Sequence, residues 1–140
     1  MVHGRRPLVE AGVGHVSNRF MILMLLTLTG CSSQQTITSN AGSWNVSYTP
    51  STTKEIPLNE LFEIRSEITG TGMVKSLRVD AAMPAHGHGM MTDTITKLQD
   101  DGSYLTTGML LHMPGNWEIY FDIDNGETIE RAQDSIILAP

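Results

Sequence analysis

The sequence of 140 residues predicts an all-β protein, one antiparallel β-sandwich of about seven short strands. Three observations lead there. Apolar and polar residues alternate at a period of two in several short runs, which is the pattern of half-buried strands. Clusters of Gly, Pro, Asn and Asp punctuate those runs about every ten residues. No run after the first thirty residues holds a convincing helical period.

The chain opens with a segment of another kind. Residues 20–29 (FMILMLLTLT) are an unbroken apolar run with Arg19 just before it. The run is too short to cross a bilayer, for which about 20 residues are needed, so it reads as the core of a secretory signal over residues 1–30. It ends in Leu28-Thr29-Gly30-Cys31, which resembles the bacterial lipobox. The resemblance implies that Cys31 is lipidated, anchoring the mature protein in the cell envelope on the extracytoplasmic side of a membrane. Ser32, in place of an aspartate, favours the outer membrane in a Gram-negative cell. More than one acyl chain gives stable attachment, so no further membrane element is required. Residues 31–43 are rich in Ser, Thr, Gln and Asn and are expected to form a flexible tether.

The domain is expected over residues 44–140. Trp44, Val46 and Tyr48 alternate with Asn45 and Ser47. In residues 61–68, Phe62, Ile64 and Ile68 share one side, with Glu63, Arg65 and Glu67 opposite, and Gly70-Thr71-Gly72 stops the run. Leu77, Val79, Ala81 and Met83 form the next set, ended by Pro84. Residues 92–111 suggest a hairpin around Asp100-Asp101-Gly102-Ser103. Trp117, Ile119, Phe121 and Ile123 make the clearest strand, and Asp124-Asn125-Gly126 turns it into a last strand over residues 128–138.

Composition excludes several functions. The net charge is −6, and the leader carries three arginines against one glutamate, so the remainder stands at −8. With no basic cluster, nucleic acid is not an expected partner. Cys31 is the only cysteine, so no disulfide forms and the hydrophobic core alone holds the fold. An acylated Cys31 is no nucleophile, and the histidines lack serine and carboxylate neighbours at a catalytic spacing. The protein is not expected to be an enzyme.

What stands out is where the metal-ligating side chains lie. After the leader there are three histidines and six methionines. Eight of these nine fall in residues 83–91 (MPAHGHGMM) or 109–113 (MLLHM), only 14 of 110 positions. Imidazole with thioether is a copper-ligand set, and thioether favours soft Cu(I). Zinc is less favoured, since thiolate and carboxylate partners are missing nearby, Asp93 excepted. His86, His88 and Met90 are spaced by Gly87 and Gly89, poor strand residues that suit positive φ or a close approach. The first ligand candidates are His86, His88, Met90 and His112; Met91, Met109 and Met113 come second. Met83 continues an apolar face and reads better as core filler. The competing reading makes the histidines caps of a tight corner, bound to backbone carbonyls.

Met83-Pro84, His86-Gly87-His88-Gly89-Met90, Gly102-Ser103-Tyr104 and Met113-Pro114-Gly115-Asn116-Trp117, in that order, resemble the YtkA-like domain family, related to FixH-like domains. The resemblance spans residues 44–138. It implies a small, secreted or membrane-anchored, immunoglobulin-like β domain, and it brings no catalytic set. Relatives in copper-handling or oxidase-assembly settings make a copper ion an expected cofactor. The alternative is a scaffold that recognises another envelope protein by a sheet edge or the His/Met loops.

Overall fold

The computed structural model describes residues 34–51, 53 and 55–140. Cys31 and the leader lie outside them. Nine strands follow in order: β1 (Gln35–Thr38), β2 (Trp44–Pro50), β3 (Phe62–Gly70), β4 (Ser76–Met83), β5 (His88–Gly89), β6 (Ile95–Leu98), β7 (Tyr104–Met109), β8 (Gly115–Asp124) and β9 (Ile129–Leu138). A single 3₁₀ turn, Pro84–His86, sits between β4 and β5. The strands form two antiparallel sheets, of order β1-β2-β3-β7-β6 and β5-β4-β8-β9. The all-β sandwich is as the alternation predicts, with nine strands rather than about seven.

The two additions are instructive. β1 lies within the stretch expected to be a tether, so that expectation is corrected: Gln35–Thr38 pairs residue for residue with Tyr48 to Asn45 of β2. Ile37 alone of the four is apolar, and it packs against the core; one such residue makes no alternation, and backbone pairing to an existing edge supplies the rest. β5 is two residues long and pairs Ala82↔Gly89 and Met83↔His88. No periodicity can announce so short a strand.

The core is the alternation made solid. Trp44, Val46, Phe62 and Ile64 of one sheet face Val79, Met83, Trp117, Ile119 and Phe121 of the other, all at 2% exposure or less. Each large side chain of this kind contributes roughly 1.5–3 kcal/mol by leaving water. The hairpins turn where expected, with Gln99 and Ser103 bonded across the β6–β7 turn and Asn125 and Thr128 across the β8–β9 turn.

A bulge in β7 shapes the end that matters. The β3–β7 register shifts between Phe62↔Met109 and Ile64↔Thr106. Gly108 takes φ +84° there, and a Cβ would collide with the Asp93 carbonyl. Only glycine tolerates both demands. The bulge re-aims the chain into the loop that carries His112. Among the described residues no helix is long and apolar enough to cross a membrane.

Candidate metal centre

Backbone geometry brings the histidines to one rim. Met83, the last residue of β4, points into the core at 1% exposure. Its cross-strand partner is His88, and directly opposed residues of an antiparallel pair share a face. His88 is thus turned inward at the sandwich end. Gly87 makes this possible: it sits in the left-handed region, φ 68° and ψ 24°, and its N–H donates to the carbonyls of Met83 and Pro84. The chain reverses within one 3₁₀ turn and leaves His86 exposed outside. The Met90 N–H then returns to the Ala81 carbonyl at 3.2 Å.

The loop between β7 and β8 closes the rim from the other side. Leu111 is fully buried, and its carbonyl accepts from the Asn59 N–H at 2.8 Å. The Trp117 indole N–H donates to the Met113 carbonyl at 2.9 Å, folding the loop over the start of β8. The Leu110 N–H points at the Met90 sulfur at 3.5 Å, which ties the two loops together. His112 lies between these anchors, half-buried.

The imidazoles form a ladder. Ring centres of His86 and His88 are 5.8 Å apart, and those of His88 and His112 are 5.3 Å apart. An imidazole bound at about 2.0–2.1 Å places its ring centre roughly 3 Å from the ion, so two rings sharing an ion stand about 5–6 Å apart. Both neighbouring pairs fall in that range. The ladder is not a closed triangle, and among the described residues no three His, Cys, Asp or Glu side chains are positioned to hold one ion.

Hydrogen bonding distinguishes the rings. The His88 Nδ1–H donates to the Gly89 carbonyl at 3.1 Å, since a carbonyl only accepts. A bond of this kind orients the ring; a histidine capping a tight corner makes it, and so does a metal-ligating histidine through its second nitrogen. The His112 Nδ1 is buried without a partner. Other buried side-chain atoms without one are Trp44 Nε1, Thr53 Oγ1 and Ser66 Oγ. Of these four, only the His112 nitrogen is a metal-ligand type, and only it stands in a row of imidazoles. Trp117, fully buried, meets His88 and His112 nearly edge-on, at 6.0 and 5.5 Å and angles of 74° and 75°.

The methionines divide by burial. Met90 and Met113 are half-buried and packed against the core. Met109, a second-choice ligand, is fully buried in the core and serves packing, as does Met83. Met91 is 78% exposed. Sequence reasoning missed Trp117 as the wall of the rim. The Met-Pro-Gly-Asn-Trp run held the signal: a tight turn followed by an indole whose N–H needs an acceptor close by.

Comparison with family models, curated proteins and solved structures gave no match to this chain.

Proposed function

We propose that the protein is an envelope lipoprotein whose β-sandwich is a YtkA-like, immunoglobulin-like module that binds and delivers copper, taken as Cu(I). The observation that carries this is the His88–His112 pair, with ring centres 5.3 Å apart beside an orphaned ring nitrogen. His88 and His112 supply nitrogen, Met90 and Met113 are the sulfur donors within the same rim, and His86 stands outside. Soft thioether with imidazole selects Cu(I) over harder ions. Trp117 keeps the inner side of the rim apolar, which strengthens every charge interaction there. Cys31 would hold the module at the membrane, and copper is cargo rather than a catalytic group.

Titrating residues 32–140 with Cu(I) under reducing conditions tests the proposal. One ion per chain is expected, and the His86→Ala/His88→Ala variant loses binding while keeping its fold. Full binding by that variant refutes the ligand assignment.

A second reading has its own observation. Ile95 and Leu98 of the edge strand β6 are 60% and 64% exposed. An uncovered apolar edge of this kind suits a scaffold that pairs with another envelope protein. In that case Ile95→Lys abolishes partner capture and leaves copper untouched.

A further inference from the structure

The three imidazoles differ in their access to solvent, and that difference carries a role. His86 is exposed, on the last residue of a 3₁₀ turn that buries none of its side chains. Among the described residues no hydrogen bond holds its ring. His88 is half-buried, with Nδ1 tied to the Gly89 carbonyl. The His112 Nδ1 is buried without a partner, on a ring that is half-buried. The rings therefore run from an exposed one, through a half-buried and oriented one, to a half-buried one with a buried nitrogen. Gly87, at φ 68° with nothing within 4 Å of where a Cβ would sit, joins the exposed ring to the oriented one.

We propose that His86 is the exchange ligand of this site: it captures Cu(I) at the surface and passes it to His88 and His112, and it runs the same steps backwards on release. The inference rests on the copper reading above. Exposure lets His86 meet an ion still held by a donor molecule. Its ring centre, 5.8 Å from that of His88, lies where one ion can be shared between the two. The step is ligand exchange. A Cu–N bond to His86 forms as one bond to the donor's ligand breaks; the bonds to His88 and His112 then form as the remaining donor bond and the Cu–His86 bond break. Copper stays in the +1 state, so no electron is transferred.

A mobile ligand outside the resting set changes rates in both directions and leaves the equilibrium nearly unaltered. The test follows from that. The full-length protein in mild detergent, loaded with one equivalent of Cu(I), is mixed with excess bicinchoninate, and transfer is followed by the colour of the Cu(I) complex. His86→Ala is expected to slow transfer roughly tenfold, an added barrier of about 1.4 kcal/mol, while the dissociation constant stays within about threefold. His86→Met restores the rate, because a soft donor returns to the same place. A purely structural histidine would not be rescued in that way. Unchanged transfer in His86→Ala overturns the exchange role and leaves the copper site standing. A loss of affinity equal to that of His88→Ala makes His86 a resting ligand and also overturns it. If the unaltered protein binds no Cu(I), the copper reading falls and this inference with it.

Discussion

At one end of the sandwich, near the β8–β9 turn, the Glu130 carboxylate is buried at 7% exposure. The Ser39 hydroxyl and the Ser43 N–H donate to it at 2.7 and 3.3 Å. Hydrogen bonds from Ser43, then Ser39, hold its carboxyl below the usual range. At the other end, where β8 begins, the His112 Nδ1 is buried with no partner. One end encloses a charged group and answers it from the same chain. The other buries a ring nitrogen and leaves it without a partner in a row of imidazoles. Folding explains the first arrangement completely. An unanswered buried polar atom costs about 1–3 kcal/mol, and of the four such atoms among the described residues the His112 nitrogen is the one that the proposed ligand would answer.

The largest effect should come from removing the inner pair. His88→Ala/His112→Ala is expected to weaken Cu(I) binding by more than roughly a hundredfold in competition titrations, since even a supporting contact is worth 10–100-fold. Residual tight binding would break the comparison at its most important point.

The next test sets the two ends against each other in thermal unfolding. Glu130→Ala strands the Ser39 and Ser43 donors and should clearly lower the midpoint. His112→Phe removes the orphaned nitrogen, keeps a ring against Trp117, and should leave stability unchanged or raise it by up to about 1 kcal/mol. The sign with pH is also fixed. Because the folded Glu130 carboxyl titrates below its ordinary 4.5, its contribution is complete above that pH and is lost as pH falls through the lowered value. Glu130→Gln should flatten the acid limb of the stability curve, whereas His112→Phe should leave it alone.

Smaller effects sharpen the picture. Gly87→Ala meets no neighbour, so its cost is conformational, roughly 1–2 kcal/mol for a left-handed residue in denaturant unfolding. Met91→Leu should do least of all. Met91 is 78% exposed, and the change should fall within about 0.5 kcal/mol in stability and leave Cu(I) affinity unaltered.

The same contrast shows what a sequence can display. β8 was plain in Trp117, Ile119, Phe121 and Ile123 because each of these residues carries its own burial preference. β1 was hidden because Gln35–Thr38 holds one apolar residue, Ile37, too few to show an alternation, and becomes a strand by pairing with β2. The His/Met cluster could be read from composition and spacing. Its internal order could not: that Met109 belongs to the core depends on the bulge at Gly108, and that His88 turns inward depends on its pairing with Met83. The role of Trp117 depends on a bond to Met113 that a four-residue turn makes possible.

The most direct measurement is X-ray absorption at the copper edge of protein carrying one equivalent of Cu(I). The account predicts a first shell of imidazole nitrogen with at least one sulfur, and loss of that spectrum in His88→Ala/His112→Ala. A shell of light atoms without sulfur, or a spectrum that the double variant reproduces, would contradict it.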